Sequence, residues 1–285
     1  MANFACMKKT GTILILLLLW GILFHHATAQ NRVRIVSLSP SITATLQQLG
    51  ADSCIVGRTS FCPAPLTGKP TVTVGNVLEI NIEKIAALKP DLVFCMAFTK
   101  AEVQKQLERM GIRVKDFPTP DSFEEICRQT REIGQLAGKK EEADKMVENE
   151  SGKVEEIRRE FASKTSNLPV KTFFQIGNDP IFPVIEGTFM NEYLSFLGLE
   201  NIVKEYKGGG ISPEYVLAGN PELMLISRMS GMGEEVAAFW NKFPQIQAVA
   251  RQRVLLVDDT RACCPTPVFF RETLQFIADY LKSIR

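Results

Sequence analysis

The feature that most constrains the fold is a short unit that occurs twice in the chain. The segment IEKIAALKPDLVF begins at Ile82 and PEYVLAGNPELML begins at Pro213, an offset of 131 positions. Each copy has a glutamate at its second position, Glu83 or Glu214, followed by apolar residues at helical spacing, a proline and an apolar run. Because each copy predicts a short helix, a proline stop and a strand, we expect two similar halves.

Strands and helices alternate in both halves. The segments RVRIVSL, CIVGRTSF, DLVFC and IRVKDF in the first half, and VKTFFQI, ELMLIS and RVLLVD in the second, are typical of strands. Alternation with helices predicts an α/β fold with parallel sheets. Residues 139–164 form a charged stretch with apolar residues at helical spacing. We interpret it as one long helix between two lobes, residues 30–138 and 165–285; the alternative is a surface helix of one domain.

The first 29 residues predict an export signal. Lys8 and Lys9 precede the apolar run TGTILILLLLWGILF, and Ala27 and Ala29 supply the small residues of a cleavage site. Since the run is short for a membrane span of about 20 residues, we expect cleavage after Ala29 and an exported, periplasmic protein. The alternative is an uncleaved N-terminal anchor.

Removal of residues 1–29 takes away both histidines, His25 and His26. The remainder then has no Ser-His-Asp or Cys-His nucleophile system and no histidine-built zinc or haem site. It keeps 31 of 33 Lys and Arg and all 32 Asp and Glu, a net charge of −1. Nucleic-acid-binding proteins carry a basic patch, so we expect no nucleic-acid partner.

Motifs typical of enzymes are absent. The chain contains no G-x-S-x-G, no G-x-x-x-x-G-K and no G-x-G-x-x-G after the first strand. The adjacent carboxylates Asp258 and Asp259 would point to opposite faces of a strand. We therefore expect a binding protein without a resident metal or cofactor rather than an enzyme.

The ends of the predicted strands identify a candidate ligand site. Ligands of open parallel sheets bind beyond the carboxyl ends of the strands, and two facing lobes would pool these loops into one cleft. The side chains that we expect there are mainly aromatic, thioether and guanidinium groups: Phe61, Met96, Phe98, Phe182, Arg228, Met229, Met232 and Arg261, with Cys62 in the loop of Phe61. Such a lining suits a large ligand that is partly apolar and partly anionic. The alternative for each apolar residue is an ordinary core position.

Six cysteines remain after export: Cys54, Cys62, Cys95, Cys127, Cys263 and Cys264. In an oxidising compartment cysteines can pair, and a bridge from Cys62 to Cys263 or Cys264 is one prediction. The alternative is that they are small buried apolar residues. Their spacings match no zinc pattern.

Several of these segments carry a family resemblance. RIVSLSPSITATLQQLGA, VGRTSF and NIEKIAALKPDLV, together with the long mid-chain helix, resemble the periplasmic substrate-binding proteins of ABC importers for cobalamin and ferric siderophores. FFQIGNDPIF and GLENIV are similar to cobalamin-binding members. The resemblance covers residues 32–285.

The resemblance implies a fold, a ligand and a partner. The fold would be two Rossmann-like lobes with parallel sheets joined by a single long α-helix, as a monomer. The ligand would be a metal chelate in the cleft, and the partner an ABC permease dimer of the inner membrane. The family's glutamates that engage permease arginines correspond to Glu83 and Glu214.

The resemblance also bears on which chelate is bound. Phe61 matches an aromatic position of the cobalamin site, whereas Val77 and Met96 stand where tryptophans are expected. We predict a corrinoid such as cobalamin; the alternatives within the family are a ferric siderophore and haem. A hypothesis of another class is an exported thiol-based metal carrier or enzyme that uses Cys62, Cys95, Cys263 and Cys264, since thiols favour soft metals.

Overall fold

The structure is a computed structural model that describes residues 32–68, 70–76, 79–97, 99–162, 170–204, 210–227 and 233–284. Residues 34–285 form one compact unit. Within the described residues, no helix combines the length and apolar character needed to cross a bilayer.

The first half is a five-stranded parallel sheet with helices between its strands. Its elements are β1 (Ile35–Ser37), α1 (Pro40–Gln48), β2 (Ile55–Arg58), β3 (Val72–Thr73), α2 (Ile82–Ala87), β4 (Leu92–Met96), α3 (Ala101–Arg109), β5 (Val114–Phe117) and α4 (Phe123–Leu136). The strand order is β3-β2-β1-β4-β5, and every pairing is parallel. Because the order reverses at β1, the loops after β1 and β4 diverge and leave a crevice at their carboxyl ends.

The second half repeats this plan with one antiparallel edge. Its elements are β6 (Lys171–Gly177), β7 (Phe182–Pro183), α6 (Phe189–Phe196), β8 (Glu200–Asn201), α7 (Pro213–Gly219), β9 (Leu223–Ser227), α8 (Gly233–Trp240), α9 (Gln247–Ala250), β10 (Val254–Val257), α10 (Asp259–Ala262) and α11 (Pro267–Ser283). The order is β10-β9-β6-β7, and β8 also pairs with β6. Among the described strands of this half, β7 alone departs from the predicted parallel arrangement. The connection of residues 178–181 is too short for a parallel crossover, which needs a dozen or more residues.

The duplicated unit has the same structure in both halves. Lys89 and Asn220, which precede the two prolines, both have a positive φ, of 46° and 42°. The next acidic residues also correspond: Asp91 accepts a hydrogen bond from the Arg34 N–H at 2.7 Å, and Glu222 from the Val170 N–H at 2.8 Å. In each copy a carboxylate therefore ties the start of one strand to the start of its neighbour.

A long helix, α5 (Lys140–Ala162), connects the two halves. It is the helix predicted over 139–164, although residues 163–169 lie outside the described part. Val147, Val154, Ile157 and Phe161 are buried in one apolar core with side chains of α4, α6 and α11. The helix is therefore packed along its length, whereas the exact lobe boundaries stay a prediction.

Candidate functional site

A central cleft of about 530 Å³ lies at the carboxyl ends of the strands. The residues that line it come from both halves: Leu38, Ser39, Pro40, Ser41, Phe61, Ile80, Met96, Thr99, Thr119, Phe189, Met190, Cys263, Cys264 and Pro265. None of these described residues carries a charge. The cleft is therefore an apolar space with hydroxyl, thiol and thioether groups on its wall.

On the first-half side of the cleft, two serine hydroxyl groups contact the sulfur of Met96. Ser39 Oγ and Ser41 Oγ lie 3.0 Å apart, and each hydroxyl contacts Met96 Sδ at 3.6 Å. Ser39 and Ser41 are buried because α1 begins directly after β1, with Pro40 in its first turn. Because two hydroxyl groups contact its sulfur, the Met96 side chain lines the cleft in a restricted set of rotamers.

Phe61 enters the cleft on the loop of residues 59–68, and 68% of its surface is exposed. Arg58 closes the start of this loop: its Nη1 donates to the Cys62 carbonyl at 2.7 Å and to the Thr59 carbonyl at 3.3 Å. The Arg58 guanidinium therefore positions the loop.

Buried Asp52 holds the other end of this loop. Its Oδ2 accepts from the N–H groups of Leu66 and Thr67 at 3.1 and 2.9 Å and from Thr67 Oγ1 at 2.8 Å. Burial alone would raise the pKa of the Asp52 carboxyl, but the hydrogen bonds from Thr67, Gln47 and Leu66 outweigh it and lower that pKa. The Asp52 carboxylate thus fixes the backbone of the loop that carries Phe61.

Two cysteines, Cys263 and Cys264, line the cleft, and a third, Cys62, lies beside it. Burial raises the pKa of Cys263 to about 11 and that of Cys264 to about 12. Cys62 Sγ lies 3.1 Å from Thr59 Oγ1 and 3.7 Å from the Ser37 carbonyl, and Cys62 is not among the lining residues. All six described cysteines are free in the structure. The bridge from Cys62 to Cys263 or Cys264 stays a prediction that thiol counting on unreduced protein would check.

The structure brings together only some of the residues predicted for the cleft. Phe61 and Met96 line it, and Cys263 and Cys264, considered from the sequence only for a bridge or thiol chemistry, line it too. Phe182, expected in the cleft, lies instead against Gly177 on the second sheet. Arg261, also expected there, faces Glu272 at 3.6 Å. The remaining expected residues lie outside the described part of the chain: Val77, Phe98, Arg228, Met229 and Met232.

Sequence reasoning missed Ser39, Ser41, Thr119, Phe189 and Met190. Ser39 and Ser41 lie in a strand-end loop that the sequence identified, but small hydroxyl residues there are also typical of helix starts. Phe189 and Met190 are the first residues of α6. In the sequence, their apolar character predicts a helix packed in the core. Their position at the start of that helix was the only sequence signal for a place in the site.

Glu83 and Glu214 lie at equivalent, exposed positions in the first turns of α2 and α7. Two residues further along, Ile85 and Val216 are fully buried and anchor the two helices. The pKa of Glu214 is lowered by a hydrogen bond from the Ser212 hydroxyl and by one from its own N–H. Each half therefore presents one carboxylate from a firmly packed helix start.

A wider hollow of about 850 Å³ lies between α4, α5 and α6. Its arginines already have partners: Arg128 pairs with Glu125 at 2.6 Å, and Arg158 lies over the Phe196 ring at 5.0 Å. Glu192 on its wall accepts from the Phe123 N–H at 2.6 Å, and burial raises the pKa of that carboxyl. Since these charged side chains are already paired with one another or with the protein, the uncharged central cleft is the better ligand site.

Comparison with known proteins agrees with this geometry. The sequence model of the family described as "Periplasmic binding protein" matches residues 35–260. The vitamin B12-binding protein of Photorhabdus laumondii is 28% identical over 246 residues, which cover 85% of this chain and 86% of that protein.

Two solved structures share the fold. The periplasmic vitamin B12-binding protein of Vibrio cholerae superposes with a TM-score of 0.75 at 24% identity and covers 88% of this chain and 97% of its own. A periplasmic haem-binding protein of Pseudomonas aeruginosa gives a TM-score of 0.76 at 22% identity, with 88% and 92% covered. Proteins with this fold thus carry more than one kind of ligand.

Proposed function

The chain belongs to the periplasmic binding protein family, and from this premise we propose that it captures a corrinoid in the central cleft and delivers it to an ABC permease. Proteins of this kind bind and hand over a solute, so the chain is not an enzyme and carries a ligand rather than a cofactor. The proposal places the protein in the periplasm, as a monomer that meets a permease dimer of the inner membrane.

The observation that carries the proposal is the uncharged cleft at the strand ends. A corrinoid presents a broad apolar face around its metal, and the described cleft wall offers Phe61, Met96, Met190 and Ile80 to such a face. The hydroxyl groups of Ser39, Ser41, Thr99 and Thr119 can meet polar groups at the edge of the ligand. Recognition would combine apolar burial with a few fixed hydrogen bonds.

Haem is the second candidate because the same apolar wall suits a porphyrin face. A strongly anionic ferric siderophore fits less well, since the described lining contains no cation. The thiol-based metal carrier also fits poorly: no group of three or more Cys, His, Asp or Glu side chains in the described part of the chain is arranged to hold a metal ion. The raised pKa values of Cys263 and Cys264 keep both thiols protonated at neutral pH.

Calorimetric titration of the processed protein with cyanocobalamin, haemin and a ferric siderophore tests the proposal. We expect saturable one-to-one binding of cyanocobalamin at about micromolar affinity or better, which corresponds to about −8 kcal/mol. Binding of haemin or the siderophore without cobalamin would overturn the corrinoid assignment and leave the family assignment intact.

A further inference from the structure

A carboxylate of the second half is bonded to a helix of the first half, close in sequence to cleft-lining residues of both. Glu192 of α6 accepts a hydrogen bond at 2.6 Å from the N–H of Phe123, the first residue of α4. Thr119, shortly before Phe123, lines the central cleft from the first half. Phe189 and Met190, shortly before Glu192, line it from the second half. The bond therefore joins two segments that each carry part of the cleft wall.

The bond satisfies a donor for which α4 itself has no acceptor. The first N–H groups of a helix have no partner within the helix, and the Ser122 hydroxyl, directly before α4, accepts from the Glu125 N–H at 3.3 Å. The Phe123 N–H is left to Glu192. A carboxylate is also favoured at the positive end of this 14-residue helix. Because a hydrogen bond to a charged acceptor is stronger than one between neutral groups, separating the two segments is unfavourable.

The side chain of Phe123 reinforces the contact between the halves. It is 8% exposed, and its ring centroid lies 4.5 Å from that of Phe270, which in turn lies 4.6 Å from that of Tyr193. Tyr193 Oη donates to the Ala262 carbonyl at 3.2 Å, one residue before the cleft-lining Cys263. A ring of the first half thus packs into an aromatic cluster of the second half, and this cluster supports the cleft wall.

We infer that Glu192 is a positioning residue that, together with the ring of Phe123, holds the two cleft walls at the spacing the ligand requires before the ligand arrives. The inference rests on the proposed function, because it concerns how the cleft binds its chelate. Glu192 is not among the described residues that line the cleft, so it acts through the position of the walls. The apparent affinity falls when only a fraction of the free protein has the binding-competent arrangement, and a weaker contact between the halves lowers that fraction.

Glu192→Ala should weaken the binding of cyanocobalamin to the processed protein about tenfold, the effect of one lost hydrogen bond to a charged acceptor. The change should fall on the association rate constant and leave the dissociation rate constant nearly unaltered, because the bound complex keeps all its ligand contacts. Glu192→Gln keeps an acceptor oxygen for the Phe123 N–H and should retain most of the affinity. Calorimetry measures the affinities, and stopped-flow mixing measures the two rate constants.

Glu124→Gln is the matched control, because Glu124 is an exposed carboxylate in the first turn of the same helix and its replacement keeps the Glu192 bond. This variant should bind cyanocobalamin as the wild type does. Hydrogen exchange adds a measurement without ligand: the Phe123 amide should exchange slowly in the wild type and faster in Glu192→Ala, whereas the amides of β4 and β9 should stay protected in both.

Three results would overturn the inference: equal affinity of Glu192→Ala and wild type, an affinity loss that arises only from faster dissociation, and rapid exchange of the Phe123 amide in the wild type. Loss of protection in β4 and β9 of Glu192→Ala would show that Glu192 only stabilises the fold, and would also overturn it. Absence of cyanocobalamin binding by the wild type would overturn the corrinoid assignment alone, because the same kinetic comparison with haemin then decides the positioning role.

Discussion

At the scale of single residues, the cleft depends on a side chain, Asp52, that is not among the residues lining it. Asp52 is 5% exposed and organises the backbone of the loop that carries Phe61. Its carboxylate replaces water with three hydrogen bonds at Oδ2 and one at Oδ1. A buried carboxylate with this many donors stabilises the fold only while it is ionised.

Asp52→Asn should therefore lower the free energy of unfolding by about 2 kcal/mol at neutral pH, because the hydrogen bonds to a charged acceptor are lost. The lowered pKa of Asp52 means that this contribution is present above the ordinary aspartate pKa and disappears as the pH falls through the folded-state value. Urea unfolding at neutral and strongly acidic pH measures both effects. The difference between wild type and variant should shrink in acid, whereas the exposed control Asp116→Asn should differ little from wild type at either pH. A difference that does not change with pH would contradict this role for the Asp52 charge.

At the scale of elements, the long helix α5 shows how the apolar pattern and its partners combine. The buried residues Ala143, Val147, Val154 and Ile157 follow the predicted helical spacing. Glu150 lies between Val147 and Val154 in the same row of buried residues, although glutamate is rarely buried unless it is paired. It is accepted there because Arg271 of α11, remote in sequence, donates to it at 2.7 Å and Lys153 pairs with it at 3.0 Å.

Removing one partner of this buried pair should cost more than removing both. Arg271→Met should reduce the free energy of unfolding by about 2–3 kcal/mol, because Glu150 keeps its burial but loses its closest cation. The double variant Glu150→Met/Arg271→Met should be more stable than Arg271→Met alone. Urea unfolding of the wild type, of Glu150→Met, of Arg271→Met and of the double variant measures the coupling. Lys140→Met breaks the exposed pair with Asp144 and should change stability by less than about 0.5 kcal/mol. Additive effects would show that Glu150 and Arg271 do not depend on each other.

At the scale of the whole molecule, the duplicated unit gives each half the same exposed carboxylate. Glu83 and Glu214 project from equivalent helix starts, neither lines the central cleft, and the buried Ile85 and Val216 hold the two helices. We propose that the two carboxylates meet basic groups of the permease, one for each half. Exposed charges of this kind steer and orient association more than they tighten it.

The double variant Glu83→Ala/Glu214→Ala should reduce uptake in cells at least tenfold and leave the affinity for the chelate unchanged. Calorimetry and a transport assay on the same variant separate the two functions. Glu102→Ala/Glu156→Ala removes two exposed charges elsewhere and should transport normally. If the Glu83/Glu214 variant also loses chelate binding, the docking role is wrong; if it transports normally, the permease contacts lie elsewhere.

The alternation of strands and helices, the duplicated unit and the long helix were all readable from the sequence. They depend on local periodicity and on proline and glycine positions, which act over a few neighbouring residues. The short elements β3, β7, β8, α9 and α10 were not predicted, because segments of two to four residues carry too little periodicity. Strand ends also identified Phe61 and Met96, since ligands of such sheets bind there.

By itself, therefore, the sequence determined the α/β class, the two similar halves and the type of protein. Only the tertiary structure decided which side chains form the cleft wall. It directed Arg261 towards Glu272, placed Cys62 beneath its own loop and brought Glu192 to the start of α4. The physical reason is the sequence separation of the contacts involved. Patterns among neighbouring residues determine the helices and strands, whereas the cleft wall is formed by contacts between residues that are distant in the chain.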